Sequence, residues 1–293
     1  MQDLLSGLSF IAIYGVSYGV VLFTISIGLV VMMGLMRVVN IAHGVFAALG
    51  GYLAVSLMNR YGVSFWFAVP IAVLAVAAVS VVVEWLFFRK LYGAPELDQV
   101  LMTIGLMFIG MAGLNAVFGP DIVPAHLPPS LAQNVQLGER TLQVYRVFIV
   151  AFGAVLMFAL WLVFERTSFG ARLRAAVDNR GMAEAVGIDV RRLFTLAFAL
   201  GSGLAAIGGA VGLAVLPLEP SYAFKYLVLI LIVVSMSGIG NVKASAWVSI
   251  ALGVIDTAGR YLYPEAGGFI IYIVLIGYMI LRGHTLLQSP SSR

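Results

Sequence analysis

The stretch ERTSFGARLRAAVDNRGMAEAVGIDVRR, Glu165–Arg192, decides how the rest of this chain is arranged. It contains 10 of the 30 charged residues, six of them basic, and apolar stretches long enough to cross a bilayer lie on both sides. Because charge this dense is not tolerated in hydrocarbon, the stretch must lie in water at one membrane face. Its basic excess predicts the cytoplasmic face. We call Glu165–Arg192 the polar island.

The composition indicates an all-α polytopic membrane protein. Of the 293 residues, 62% are hydrophobic and 10% are charged, with a mean hydropathy of +1.05, whereas soluble domains carry about 25% charged residues. The apolar runs have the length of membrane-spanning helices and lack the short alternation of barrel strands. The basic residues follow the membrane faces, so topology explains the net charge of +4 better than nucleic-acid binding does. The absence of cysteine excludes disulfides and thiolate chemistry.

Nine apolar runs predict eight to nine transmembrane helices. The first lacks a basic leader and a small-residue cleavage site, so we interpret it as a retained span. The seventh is short and ends in SGIGN, which leaves a broken or re-entrant helix as the alternative. The spans are predicted at about 8–34, 41–58, 64–88, 99–118, 146–164, 193–216, 224–240, 243–262 and 267–281.

Basic residues are unevenly divided between the two faces. If the polar island is cytoplasmic, parity places 35–40, 89–98, 241–243 and the C-terminus on the same side and the N-terminus outside. This division puts twelve Lys and Arg inside and five outside, as the positive-inside rule requires. The proline-rich segment 119–145 is then an external cap of turns and short extended pieces. We expect residues 1–293 to form a single transmembrane domain.

Catalysis has little support in this sequence. The histidines His43, His126 and His284 lack metal-ligand spacing, and no phosphate-binding loop for ATP is present. We therefore expect no catalytic residues, no cofactor and no metal site in this chain.

Polar residues near the spans have structural explanations. Glu84 precedes Arg89 by five residues, which favours an ion pair over a proton site. Asp256 and Arg260, four residues apart on one helix, are expected to satisfy each other. Asn115 is most simply an interhelical hydrogen-bonding residue.

Small residues form one face of the predicted helix that follows the polar island. In FALGSGLAAIGGAVG, 198–212, glycines and alanines recur along that face. Small faces permit close backbone contact in lipid, and we favour this interpretation over a pathway lining. The same applies to Gly44, Gly50 and Gly51.

Local signals predict two short surface helices within the polar island. Thr167 or Ser168 can cap the first helix, and Asn179 with Gly181 would end it. The sequence MAEAV begins the second, which Gly187 stops. Charged residues surround a narrow apolar stripe, which favours a protein partner over a lipid surface.

Three stretches carry a family resemblance. Arg174–Gly212 resembles the cytoplasmic loop and following span of the H-type permease subunit of branched-chain amino acid ABC transporters. VVNIAHGVFAALGGY, Val38–Tyr52, is similar to that family's Asn-Phe-Ala-His-Gly signature, and Leu101–Asp121 is similar to its Thr-Ile-Gly segment. Ile41 replaces the phenylalanine, and the late glycine-rich segment departs from the family's pattern at Lys243 and Trp247.

The resemblance implies a permease subunit of an ATP-driven importer in a bacterial or archaeal inner membrane. Its partners would be a second related permease, two ATP-binding cassette ATPases that hold ATP and Mg²⁺, an extracytoplasmic solute-binding protein and membrane lipid. The ATPase-coupling residues would be Arg172, Arg174, Ala175, Asp178, Asn179, Ala183, Glu184 and Gly187. Candidates for the pathway or for packing are Asn40, His43, Gly44, Thr103, Asn115, Gly201, Gly203 and Gly208.

Branched-chain or related amino acids are the expected cargo. Related permeases serve urea, amides and aromatic acids, and the sequence does not choose among these. A stand-alone secondary transporter or channel is the alternative function, although the chain lacks a series of buried carboxylates for proton coupling. A structural scaffold would leave the glycine faces unexplained.

Overall fold

The computed structural model describes residues 2–36, 38–92, 94–124, 127–137, 140–238, 240–265 and 267–288. His126 and the counted cations Arg37 and Arg293 lie outside these described residues. The described chain is almost wholly helical, which confirms the all-α class. Its helices are α1 Gln2–Met36, α2 His43–Tyr61, α3 Phe65–Leu91, α4 Glu96–Phe118, α5 Val144–Arg166, α6 Ser168–Asp178, α7 Arg180–Ala185, α8 Val190–Val211, α9 Tyr222–Ser237, α10 Val242–Leu262 and α11 Ile270–Gln288.

Helix α1 lies at the centre of the bundle. It is apolar around its whole circumference, and residues such as Leu22, Ile25 and Ile27 are completely buried. A helix of this kind needs protein on every side. Helices α5, α8, α9 and α10 supply that contact.

Glycines bring the helices around α1 into backbone contact. A Cβ added at Gly28 would lie 2.8 Å from the Cα of Gly201 in α8, and one at Gly253 in α10 would lie 2.6 Å from the Cα of Gly19. Real side chains do not approach backbone atoms this closely, so only glycine allows these two crossings. The small-residue face predicted for 198–212 therefore serves close packing.

Each predicted span coincides with a helix of the described chain. By length and composition, five helical segments of that part can cross a membrane: Gly7–Met36, Phe65–Leu91, Glu96–Phe118, Val144–Arg166 and Val190–Ala214. Tyr222–Ser237 and Gly267–Leu281 are shorter apolar helices. The number of spans stays a prediction, since α2 and α10 are less apolar than the five.

The two ends of the bundle carry different structures. At one end of the bundle, Lys243 lies 2.9 Å from the Glu165 carboxylate, so the start of α10 contacts the polar island. At the other end, segment 119–145 contains a β-hairpin that pairs β1 Asn134–Leu137 with β2 Arg140–Gln143. We call these the island end and the hairpin end. Short extended pieces in this segment match the prediction for the loop.

A sharp break separates α9 from α10 at the island end. Gly238 and Gly240 have φ values of 81° and 77°, and the Gly240 N–H donates to the Val30 carbonyl at 3.2 Å. Asn241 then caps α10 by accepting from the Ala244 N–H at 3.0 Å. The seventh predicted run therefore stops being helical at Ser237, and part of the non-helical backbone is satisfied by α1.

Candidate functional site

The polar island folds as two short helices with side-chain caps. Thr167 Oγ1 accepts from the Gly170 N–H at 3.3 Å and begins α6. Asn179 leaves the helical conformation, with φ −152°, and its Oδ1 accepts from the Met182 N–H at 3.0 Å to begin α7. Each cap satisfies an N–H that a helix start leaves unpaired. The sequence prediction of two short helices is confirmed, but Gly181, expected to help end the first helix, lies in the first turn of the second.

Gly187 ends α7 in a Schellman motif. Its own N–H donates to the Glu184 carbonyl, and the Ile188 N–H donates to the Ala183 carbonyl, both at 3.0 Å. This motif needs a left-handed residue, and Gly187 has φ 86°. Asp189 then caps α8 through the Arg192 N–H at 3.0 Å. Because every turn is fixed by hydrogen bonds, the island is a rigid knob.

The inner face of the island is attached to the end of α5. Leu173, Ala176 and Ala183 are buried, and a Cβ added at Gly170 would lie 2.7 Å from the Cα of Phe164. The Arg174 guanidinium donates to the Phe164 carbonyl. The island is therefore packed and hydrogen-bonded against the end of α5.

The outer face of the island presents most of the candidate coupling residues, whereas Ala183 is buried on the inner face. Arg172, Asp178, Asn179, Glu184 and Gly187 are exposed, while Ala175 is half-buried. Arg174 is half-exposed but tied to Phe164, so it holds the knob in place as well as facing outward. Within the described chain, Arg172 and Arg191 have no acidic partner.

Two exposed apolar residues of this face were not among the sequence-based candidates. Met182 and Val186 are 62% and 69% exposed, next to the ion pair of Arg180 with Glu184 at 3.0 Å. Their spacing of four residues on a surface helix is the signal that could have found them. Apolar side chains surrounded by charge are typical of a surface that binds another protein or the membrane.

A buried polar cluster links the island to α3. Glu84 is completely buried and accepts from the Arg89 Nε at 3.3 Å, the Tyr92 hydroxyl at 2.7 Å and the Thr195 hydroxyl at 3.0 Å. A π-helical turn, Glu84–Phe88, brings residues five apart onto one face. The predicted Glu84–Arg89 ion pair is confirmed.

Aromatic contacts extend this cluster to the island surface. The Arg180 guanidinium lies 5.3 Å from the centre of the Phe194 ring, which meets the Tyr92 ring edge-to-face at 5.1 Å. Burial and the hydrogen bond to Glu84 raise the pKa of the Tyr92 hydroxyl, so it remains a donor at neutral pH. A continuous path of contacts therefore runs from α7 to α3.

The polar pathway candidates lie inside the bundle. Asn40 and His43 are each 1% exposed, and His43 Nε2 lies 3.0 Å from the Ile25 carbonyl of α1. Thr103 is completely buried and donates to the Val39 carbonyl at 3.3 Å. The structure brings these three together at the start of α2, where they fasten α1 and α4 to it.

The glycine candidates divide into tight and open positions. A Cβ at Gly44 would lie 2.9 Å from the Cα of Ala223, one at Gly201 would lie 2.8 Å from Met32, and one at Gly208 would lie 2.9 Å from the backbone of Ile25. At Gly203, by contrast, the nearest atom is 3.6 Å away. Packing accounts for the first three.

Asn115 does not make the interhelical hydrogen bond that we expected. It is exposed on α4, and the described residues offer it no hydrogen-bond partner. With Pro120, Glu219 and Ser221 it lines an open cavity of about 420 Å³ at the hairpin end. Gly119, which has φ 87°, ends α4 just beyond Asn115.

Apolar helices around a buried central helix, with a capped polar knob at one end, define a helical polytopic membrane protein. The family described as "Branched-chain amino acid transport system / permease component" matches residues 11–279. The chain belongs to this family, so it is an inner-membrane transport permease and not an enzyme. The resemblance carried by the three sequence stretches is confirmed.

Individual relatives align over nearly the whole chain. BraD of Pseudomonas aeruginosa, a high-affinity branched-chain amino acid transport system permease protein, is 25% identical over 99% of this chain and 96% of its own. A probable branched-chain amino acid transport permease protein, LivH of Methanocaldococcus jannaschii, is 23% identical over 93% and 88%. Among solved structures, a chain of PsaBC from Streptococcus pneumoniae in complex with Fab matches 94% of this chain and 90% of its own, with a TM-score of 0.48 and 12% identity.

Proposed function

We propose that this chain is the membrane-spanning permease subunit of an ATP-driven ABC importer for branched-chain or related amino acids. The observation that carries the coupling role is the outer face of the polar island, where Met182 and Val186 are exposed among charges on a rigid knob. Apolar anchors within a charged rim suit a pocket on a partner protein. The family supports the transport class, and the names of BraD and LivH support the substrate class.

The partners follow from this role. The island docks on one of two ATP-binding cassette ATPases, which bind ATP and Mg²⁺, while this chain holds no cofactor. A second related permease completes the pathway, and an external solute-binding protein delivers the amino acid. The island and the C-terminus face the cytoplasm, as the twelve-to-five division of basic residues supports.

Motion of the ATPases reaches the bundle by two routes. One runs from Arg180 through Phe194 and Tyr92 to Glu84 of α3. The other runs from α6 through Phe164 to α5. Helices that meet through glycine are in direct backbone contact, so they shift relative to one another as rigid bodies. These shifts change access to the pathway.

The test replaces the two exposed anchors together, Met182→Asp with Val186→Asp, in cells that express the whole transporter. We expect the permease to reach the membrane at normal levels but to co-purify without ATPase and to lose uptake of labelled leucine. Val135→Asp is the matched control, because Val135 is 48% exposed on the hairpin at the opposite end. This control should retain its ATPase.

Arg172→Glu tests the same face through charge. Arg172 is preferable to Arg174 because it does not hold the knob to α5. Normal ATPase recovery and normal uptake in both island variants would refute the coupling role. Uptake by the purified chain alone, without ATP or partners, would instead support a stand-alone transporter.

A further inference from the structure

A cavity of about 640 Å³ lies at the hairpin end and is lined by residues other than those of the Asn115 cavity. Helices α1, α5, α9 and α10 contribute its walls. Three of its residues are cations within about one turn of a helix end: Arg146, Lys225 and Arg260. Asp256 and a group of aromatic side chains complete the lining.

Asp256 is only half-satisfied in this wall. It is 4% exposed, and its Oδ2 accepts from the Arg260 Nε at 2.8 Å. Its Oδ1 is buried and has no hydrogen-bond partner in the described chain. The sequence analysis expected these two residues to satisfy each other, and one carboxylate oxygen is left over. A buried anionic acceptor without a donor is costly, which points to a ligand with N–H groups.

Arg146 offers the opposite charge. Its Nη1 donates to the Ser17 hydroxyl at 3.2 Å, and its guanidinium lies 4.7 Å from the centre of the Tyr14 ring. Its Nε is buried without a partner, and no carboxylate of the described chain pairs with it. The other two cations are neutralised, since Lys225 pairs with Glu219 at 2.6 Å and Arg260 pairs with Asp256.

The lining therefore holds one cation without a carboxylate partner and one carboxylate oxygen without a donor. Interfacial anchor residues would place their charged atoms in water, whereas the unpaired atoms of Arg146 and Asp256 are buried. We propose that this cavity binds a zwitterionic ligand, with an acidic group toward Arg146 and a primary ammonium toward Asp256. The rings of Tyr14 and Tyr18 line the cavity and contact its body, and Tyr18 favours the ammonium through cation–π attraction.

Two sources can supply this chemistry. One is a free α-amino acid, in which case the site rests on the proposed function and holds cargo at the hairpin end. The other is the headgroup of an aminophospholipid. Binding is measured on the full chain without ATP or partners. A negative result in this assay therefore concerns the cavity alone, whereas a loss of uptake concerns the proposed transport function.

The first experiment measures equilibrium binding of labelled leucine to the purified chain in phosphatidylcholine nanodiscs. Two analogues compete: 4-methylpentanoate, which lacks the ammonium, and 3-methylbutylamine, which lacks the carboxylate. Asp256→Asn should weaken the binding of leucine about 10- to 100-fold, which corresponds to the free energy of a hydrogen bond to a charged group. The affinity for 4-methylpentanoate should be unchanged. Arg146→Gln should weaken the binding of leucine by a similar factor and leave the affinity for 3-methylbutylamine unchanged.

Matched controls remove the same charges elsewhere at this end. Arg60 and Asp121 are exposed at the hairpin end and outside the cavity, so Arg60→Gln and Asp121→Asn should bind as the original chain does. If a substitution instead damaged the structure, the affinities for all three ligands would fall together. That result would overturn the assignment of the ligand's groups to Arg146 and Asp256.

The second experiment addresses the lipid source. The chain is placed in nanodiscs that contain equal amounts of phosphatidylethanolamine and phosphatidylcholine. The lipid that stays bound to the protein is then identified by native mass spectrometry. The two lipids share a phosphate, but only the first has N–H donors for Asp256. Enrichment of phosphatidylethanolamine that Asp256→Asn abolishes supports a headgroup site. Leucine binding without enrichment supports the free amino acid, and the absence of both overturns the proposal.

Discussion

Removing the Tyr92 hydroxyl should destabilise the protein more than removing a comparable tyrosine hydroxyl elsewhere. Tyr92 donates to the buried Glu84 carboxylate at 2.7 Å. Tyr278 is the matched case, since it donates to the neutral carbonyl of Met236 at 3.1 Å and is also half-buried. Hydrogen bonds to charged groups contribute about 1.5–3 kcal/mol, and neutral ones about 0.5–1.5 kcal/mol.

The structure places Tyr92→Phe at the low end of the first range. Glu84 keeps two other donors, Arg89 and Thr195, so its charge is not left unpaired. We expect a loss of about 1.5–2 kcal/mol for Tyr92→Phe and about 0.5–1 kcal/mol for Tyr278→Phe.

The assay is reversible unfolding of the purified chain in mixed micelles with increasing dodecyl sulfate, followed by circular dichroism. A smaller or equal loss for Tyr92→Phe would refute the conclusion that this cluster joins the island to α3. Uptake measured on the same variants should fall in Tyr92→Phe at unchanged expression, because that bond lies on one of the two routes from the island.

The remaining predictions concern glycines and use paired substitutions. Gly187→Ala should destabilise the protein by about 1–2 kcal/mol, because its φ of 86° is left-handed although the space around it is open; Gly181→Ala, in a helical position, should cost nothing in the same unfolding assay. Gly28→Ala should cost about 1–3 kcal/mol or prevent monodisperse purification, because its Cβ would meet the Gly201 backbone. Gly203→Ala should purify normally, since its Cβ would lie 3.6 Å from the nearest atom. An equal response within the first pair would contradict the left-handed conformation of Gly187, and an equal response within the second would contradict the close packing at Gly28.

Features that depend on neighbouring residues were predictable from the sequence. The helix at 168–178, its end at Asn179 and the stop at Gly187 follow from residues within one turn of each other. The apolar runs marked every long helix because hydrocarbon imposes length and composition directly. The Glu84–Arg89 pair was also local, at a spacing of five.

Features that depend on distant partners were not predictable. Thr195 donates a hydrogen bond to Glu84, which is 111 residues away in the sequence. No sequence pattern near either residue predicts that contact. Asn115 looked like a buried polar residue because its helix is apolar, yet it faces outward. Asp256 was correctly paired with Arg260, but the missing partner of its second oxygen depends on how four helices meet.

The central position of α1 also constrains how the protein is made. The segment at the N-terminus leaves the ribosome first, but its glycine contacts with α10 cannot form until residues after Val242 have been synthesised. At about 5–20 residues per second, that interval is roughly 10–40 s. During biogenesis, the helix destined for the interior therefore waits with its small-residue surface against lipid or an insertion factor. The last third of the chain completes the enclosure, so truncation there should leave the earliest helix without its native partners.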